Sequence, residues 1–240
     1  MQEHTYEIES IIERDHWWYV VRRELCKKYL DKYSKNAAII DIGSGAGTNL
    51  RLLKEMGFTN YHGLDFSPLS KKICAEKKIG EVVVRDIYDS NLPSDSYDVV
   101  LITDVLEHLN DDLEALKEIR RILKPNGVAI ITIPCFMSLW GINDNTSMHK
   151  RRYLLRDIKS KIKNSKMSVT EAYYFNFLLF VPIFLFRRIG TFFKLKIVSE
   201  NFVNTNFLNK FFKNIFRVDI ALAKKIHPPF GVSSFILATK

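Results

Sequence analysis

Glycines and acids spaced along the first half of the chain carry its clearest chemistry. The segment "DIGSGAG" (41–47) sets Gly43, Gly45 and Gly47 at alternate positions behind Asp41. Glycines spaced this way let a backbone turn sharply and let a ligand come up against main-chain atoms. Asp65 ends "YHGLDF" (61–66), where an acid can accept hydrogen bonds from both hydroxyls of a ribose. Asp86 and Ile87 end "EVVVRDI" (81–87). That acid can take an adenine amino group, and Ile87 offers a backbone N–H and an apolar face. Asp104 follows in "YDVVLITDV" (97–105). A lone glycine turn is a weak signal. The turn together with an acid at Asp41, Asp65, Asp86 and Asp104, each at an apolar run, describes a nucleoside site.

The elements that must position these residues alternate in type. "AAIIDIG" (37–43), 61–66, 81–87, 97–105 and "GVAIITIP" (127–134) are apolar runs of strand length. Between them, "TNLRLLKEM" (48–56) has helical spacing, Ser67-Pro68 reads as an N-cap with proline at the first helical position, and 111–123 is amphipathic and stopped by "KPNG". Strands alternating with helices imply a doubly wound α/β sheet, mostly parallel, with helices on both faces. Ligands bind beyond the carboxyl ends of such strands, where the acids lie. Two more strands are expected at 166–175 and 232–240, making seven, with a mostly helical insertion between them.

A dinucleotide fold asks for GxGxxG/A, whereas here the third glycine comes one residue early and Thr48 follows it. The GxGxG spacing behind Asp41 resembles that of the class I methyltransferases that use S-adenosylmethionine (SAM). "ITDVLEHL" (102–109) and "RRILKPNGVAIITIP" (120–134) are similar to the fourth- and fifth-strand motifs of the type 11, or ubiquinone-biosynthesis-like, subgroup. The resemblance is close over about 37–135. It implies SAM as cofactor and S-adenosylhomocysteine as product. It implies that Asp41, Gly43, Ser44, Gly45 and Gly47 hold the methionine part, Asp65 and Phe66 the ribose, and Asp86 and Ile87 the adenine, with Thr103, Asp104 and Val105 beside them. "HWWYVVRREL" (16–25) resembles the subgroup's N-terminal helix, which would lay Trp18 and Arg22 over the cofactor. The expected organisation is one domain over 1–240: a helical cap (1–35), a SAM-binding core (36–175), a basic, Phe-rich insertion or lid (176–231) and a final strand (232–240).

A methyl on sulfonium is already activated, so the cofactor brings the hard chemistry and the protein must align a nucleophile with it. A sugar or aliphatic hydroxyl needs a general base. The candidates are His149, His108 and Tyr153, with Asp104 also in reach. His149 ranks first, because "HKRRYLLRDI" (149–158) resembles the subgroup's segment near the acceptor. No metal is expected. A nicotinamide-dependent reductase is disfavoured by the glycine spacing, and a SAM-binding protein without catalysis by the intact set of glycines and acids. Nucleic acid is not an expected partner: "TDVLEHL" replaces the Pro-Pro-aromatic motif of amino-base methyltransferases.

Charge divides the chain. Residues 1–135 hold 18 Lys and Arg against 22 Asp and Glu, net −4, while 136–240 hold 18 against 5, net +13. The back also holds 15 of the 17 phenylalanines. Within it, "YYFNFLLFVPIFLFRR" (173–188) is too short and too interrupted by Pro182 to span a bilayer. In 206–226, Leu208, Phe211, Phe212, Ile215, Leu222 and Ile226 fall near one helical face with Lys and Arg largely elsewhere, a pattern seen in interfacial helices. Three readings stay open: a lid over the acceptor, a lid that also touches an anionic membrane surface, or a dimer interface. The first two put an apolar wall beside a small-molecule acceptor and favour O-methylation of a lipophilic or lipid-linked compound. The alternative is a polar sugar or metabolite. Three scattered cysteines read as free thiols, and the polar, acidic N-terminus is unlike a signal peptide, so the expected location is cytoplasmic, with a peripheral place on the inner membrane face as the open alternative.

Overall fold

The computed structural model describes residues 3–192 and 206–240. Its centre is a seven-stranded sheet: β1 (Ile39–Ile42), β2 (Tyr61–Asp65), β3 (Val82–Val84), β4 (Tyr97–Thr103), β5 (Leu123–Pro134), β6 (Ser168–Phe175) and β7 (Ser233–Thr239). The order is β3-β2-β1-β4-β5-β7-β6. The first five strands are parallel, and β7 runs antiparallel between β5 and β6. The order reverses at β1, so the carboxyl ends of β1 and β4 open onto the switch point.

Alternation of side chains divides the core into two layers. Ile39, Val99, Leu101 and Ile130 face one side, and Ile40, Val100, Ile102 and Ile131 face the other. The first layer is closed by α2 (Trp17–Leu30), α3 (Thr48–Glu55) and α9 (Asn206–Ile226), through Leu25, Leu50, Leu53, Phe216 and Ile220. The second is closed by α5 (Asp112–Ile122) and α7 (Leu155–Asn164), through Leu116, Ile119, Ile158 and Ile162. Each fully buried Ile or Leu contributes roughly 2 kcal/mol. The helices α1 (Glu3–Ile12), α4 (Pro68–Glu76), α6 (Ile142–Thr146) and α8 (Phe180–Phe192) complete the described residues. Cys26, Cys74 and Cys135 are buried free thiols.

Several strand ends depart from their apolar runs, and these departures have causes. β3 ends at Val84 because the Asp86 carboxylate accepts from the Tyr88 backbone N–H and starts a short 3-10 turn. β4 ends at Thr103 because Asp104 takes a left-handed backbone, φ +56°. β5 starts at Leu123, ahead of the expected Gly127, since Leu123 already pairs with Tyr97 before the register shifts.

The long apolar run at 173–188 is split. Tyr173–Phe175 finish β6, Asn176 turns the chain at φ +56°, and α8 begins at Phe180. Pro182 falls in the first turn of α8, where its missing N–H has no intrahelical partner to lose, so it does not act as the expected kink. The expected apolar face of 206–226 also divides. Phe212 and Leu208 turn toward a cavity, Phe211, Leu222 and Ile226 are exposed, and the core contact is made by Phe216, Ile220 and Ala223. No helix among the described residues is long and apolar enough to cross a membrane.

Candidate active site

The β1–α3 turn is held by positions that only glycine satisfies well. Gly43 has φ +70°, and a Cβ there would lie 2.4 Å from Val105 Cγ2; Gly47 has φ +85° and its Cβ would meet Ile79 at 2.4 Å. Behind the turn, Asn49 Nδ2 donates to Asp41 Oδ1 (2.8 Å) and to Thr103 Oγ1 (2.9 Å), tying β1 and β4 to α3. Asp41 is fully buried, its Oδ2 has no partner among the described residues, and burial pushes its pKa up to about 7.

A cavity of about 580 Å³ opens at the switch point. Gly43, Ser44 and Gly45 form its floor, and Thr103 and Asp104 the end of β4. Trp18 and Arg22 of α2 stand over them. The Arg22 guanidinium donates to Asp104 Oδ2, while Thr132 Oγ1 donates to Oδ1 at 3.1 Å, so the left-handed Asp104 is anchored from two sides. Arg22 Nε is buried without a partner among the described residues. Trp18 also packs, stacking on Phe216 at 5.3 Å and on Phe175 at 6.0 Å. The opposite wall comes from the back of the chain: Leu179, Pro182, Ile183 and Phe186 around α8, and Leu208 and Phe212 of α9.

His108 and His149 line the cavity, but Tyr153 does not. The Tyr153 hydroxyl donates to Asp112 Oδ2 (2.8 Å) and lies 3.1 Å from the Leu106 carbonyl. Burial, then the Asp112 carboxylate, pushes its pKa upward. Tyr153 is thus a buried strut between β5 and α5 and is set aside as a base. Asp41, Gly47, Asp65, Phe66, Asp86, Ile87 and Val105 also lie off the cavity wall. Asp41, Gly47 and Val105 act from behind the turn. Asp86 and Phe66 are exposed beyond β3 and β2, and Ile87 is buried between them and the core.

Asp65 is separated from the cavity by α1, which sequence reasoning left undifferentiated within the cap. Asp65 Oδ2 accepts from Gly45 N (2.8 Å), and its Oδ1 accepts from Ser67 N (2.9 Å) and from the Tyr6 hydroxyl (3.0 Å). Tyr6 packs with Ala46, Ile73 and Leu69 to seat α1. One turn along, Glu9 reaches the cavity. Withdrawal from water pushes its pKa up to about 7, with Arg22 opposing and the Asp104 and Asp65 carboxylates adding to the rise.

On the acceptor side the fold gathers groups that sequence spacing kept apart. Glu107 is fully buried, and neither carboxylate oxygen has a partner among the described residues. Burial and then the Asp104 charge raise its pKa well above the usual carboxylate range. The His108 and His149 rings meet edge to face, centroids 4.7 Å apart, and burial followed by His149 lowers the His108 pKa to about 3. His149 Nδ1 lies 2.8 Å from Asp144 Oδ1. Arg152 grips the same carboxylate through both oxygens at 2.8 and 3.1 Å, and Gly141 N donates to it at 2.8 Å. Burial alone would raise the Asp144 pKa, but His149 and Arg152 hold it well below the usual range. The sequence pointed to His149 through its segment, but its buried partners Asp144 and Arg152 carried no signal, because the contacts form only on folding.

A parallel switch-point sheet with a glycine turn, and acids at the strand ends, defines a nucleoside-binding Rossmann-like fold of the methyltransferase type. Residues 40–131 match the family profile described as "Methyltransferase domain". Over those residues, less than half of the chain, it is similar to methyltransferase domains, and its sheet has the order of that fold. It is 28% identical over 136 residues to the 2-methyl-6-phytyl-1,4-hydroquinone methyltransferase 2 of Oryza sativa, covering 55% of this chain and 39% of that one. It is 26% identical over 163 residues to the demethylmenaquinone methyltransferase of Chlorobaculum tepidum, covering 66% and 64%. The match therefore spans well under half of the rice relative. A solved SAM-dependent methyltransferase from Archaeoglobus fulgidus shares the fold, with a TM-score of 0.59, 24% identity, and coverage of 91% of this chain and 94% of that one.

Proposed function

We propose that this protein moves the methyl group of SAM onto a small-molecule acceptor with a lipophilic part, by O-methylation. One observation carries the reading: the glycine turn and Asp104 share a single cavity with an apolar wall from α8 and α9. The names of the rice and Chlorobaculum relatives, which concern a phytyl hydroquinone and a demethylmenaquinone, support the lipophilic part of the reading only.

The residues fit the cofactor. The unpartnered Arg22 Nε suits a carboxylate, and Asp104 suits an ammonium, the two ends of the methionine part. The Gly43–Gly45 backbone can lie close to it. Asp65 is the ribose acid, with Asp86 and Ile87 on the adenine side. The Tyr6 hydroxyl now occupies the Asp65 oxygen that a ribose hydroxyl would take, so α1 must shift as cofactor binds. When bound, SAM supplies the electrophilic methyl. The chain's own work is to bind, align and exclude water, which α8, α9 and Trp18 do by closing the cavity. His149 is the group to accept a hydroxyl proton. Its Nδ1 faces Asp144, which fixes the ring with Nε2 turned toward Glu107, 3.9 Å away.

A membrane surface is the second part of the reading. Val181, Leu185 and Ile189 on α8 and Phe207, Phe211 and Val218 on α9 are all exposed. Lys210 and Lys213 lie on α9, and each such cation near anionic lipid contributes roughly 1 kcal/mol, whereas Arg217 is paired with Glu24. The test is incubation with methyl-labelled SAM and a cell extract, followed by partition between organic solvent and water. Label in the organic phase, lost in Asp65→Ala, is expected. Label confined to water would move the reading to a polar sugar or metabolite. Failure to bind anionic liposomes at low salt would remove the membrane part.

A further inference from the structure

We propose that Glu107, His108 and His149 form a binding site for one divalent transition-metal ion on the acceptor side of the cavity. One donor atom from each lies within 4.8 Å of the others. Glu107 and His108 are consecutive in the 3-10 turn Leu106–His108 that follows β4, and His149 arrives from the segment after α6. All three line the cavity.

Three features point to a cation. First, the Glu107 carboxyl is fully buried and both oxygens lack a hydrogen-bond partner among the described residues. A buried carboxylate in that state is costly unless it is paired or ligates a metal. The two guanidinium groups that act on it, Arg152 and Arg22, are already engaged by Asp144 and Asp104. Second, His108 Nδ1 is buried and also unpartnered among the described residues. Third, His149 is oriented as metal-bound histidines are. Its Nδ1 is hydrogen-bonded to Asp144, itself pinned by Arg152, and its Nε2 is turned toward Glu107 Oε1 at 3.9 Å. A carboxylate behind one ring nitrogen fixes the tautomer that leaves the other free to ligate, and raises its basicity.

The donor set selects the ion. Two imidazoles and one carboxylate suit zinc, manganese, iron, cobalt or nickel, whereas magnesium and calcium prefer oxygen throughout. Bond lengths of about 2.0–2.2 Å bring tetrahedral donors to about 3.4 Å apart, so the three side chains would close in by about 1 Å on loading. Three protein ligands leave at least one coordination position, and it faces the cavity. A hydroxyl or phenol oxygen of the acceptor is the ligand of matching chemistry; with the ion bound, His149 Nε2 would be a ligand and no longer the proton acceptor, and the ion would instead acidify that oxygen. That last step alone rests on the methyltransferase reading; the metal site does not.

The test is equilibrium dialysis of the full chain against zinc and cobalt, without SAM, with metal counted per chain. Wild type and the remote control His62→Gln should bind one equivalent, and Glu107→Gln and His149→Asn should bind at least tenfold more weakly. The cobalt form of wild type should show the visible bands of nitrogen-ligated cobalt. No stoichiometric binding by wild type, or equal binding by all four proteins, overturns the proposal. If the two site variants fail to fold, the wild-type cobalt spectrum decides, since a purely aqua-ion spectrum also overturns it. S-adenosylhomocysteine binding is measured on the same metal-free protein, so the cofactor reading and the metal site stand or fall separately.

Discussion

The glycine-turn wall of the cavity and the wall made by α8 and α9 are held in different ways. The first is fixed by main-chain geometry and buried polar contacts: Gly43 and Gly47 at positive φ, Asn49 linking Asp41 to Thr103, and Asp104 clamped by Arg22 and Thr132. The second is fixed mostly by ring packing. Phe216 stacks on Trp18, Phe212 lies against Trp17, and Phe180 packs on Phe136. Polar anchors accompany the rings: Asp219 accepts from Asn176 N at 2.6 Å and Leu178 N at 2.7 Å, Asn209 Oδ1 accepts from Trp17 N at 2.7 Å, and Arg217 and Lys224 pair with Glu24 and Glu171. Hydrogen-bonded geometry tolerates little change and suits an invariant ligand. Apolar packing adapts at modest cost and suits an acceptor that differs between relatives.

That contrast can be broken by variants on each wall. The largest expected effect is Asp65→Ala, which removes the acceptor for Gly45 N, Ser67 N and a ribose. S-adenosylhomocysteine affinity measured by calorimetry should fall about 100-fold, roughly 3 kcal/mol. On the other wall, Phe212→Ala should raise the acceptor KM about tenfold, near 1.4 kcal/mol, while cofactor affinity stays within twofold. A matching loss of cofactor affinity would mean that the walls are not separable.

Glu9 gives a smaller, pH-resolved effect. Its pKa of about 7 in the fold lies above its ordinary 4.5, so the fold keeps a proton that the unfolded chain loses between those values. The Glu9 contribution to stability is therefore full below pH 4.5, declines as pH rises, and is gone above about 7. Asp41 titrates in an overlapping window, so the difference between wild type and Glu9→Gln isolates Glu9. Urea unfolding from pH 4 to 8 should show a shallower decline for Glu9→Gln, by on the order of 1 kcal/mol. The smallest effect belongs to Tyr6→Phe. It removes one of the two donors to Asp65 Oδ1, and cofactor affinity should tighten two- to fivefold, with unchanged affinity counting against α1 as a competitor for the ribose acid.

The same contrast explains what the amino-acid sequence reveals. The sheet, its order of helices and strands, and the glycine turn are local patterns, so alternating apolar runs and Ser67-Pro68 disclose them directly. Asp104 was legible as an acid after β4, but its clamp by Arg22 was not, because that contact joins residues 82 positions apart. Tyr153 illustrates the converse: its place near the acceptor segment suggested a base, and only the partner Asp112 reveals a strut. The face of α9 was misjudged because Phe and Leu populate both its sides. Which side is buried depends on where Trp17 and Trp18 of α2 stand, which helical spacing within 206–226 does not contain.

The measurement that tests the central claim most directly is a calorimetric titration of the full chain with S-adenosylhomocysteine, beside NADH, repeated on Asp65→Ala. One saturable site per chain for S-adenosylhomocysteine, no heat with NADH, and loss of the site in the variant are expected. Binding of NADH without S-adenosylhomocysteine, or S-adenosylhomocysteine binding untouched by Asp65→Ala, would contradict the account.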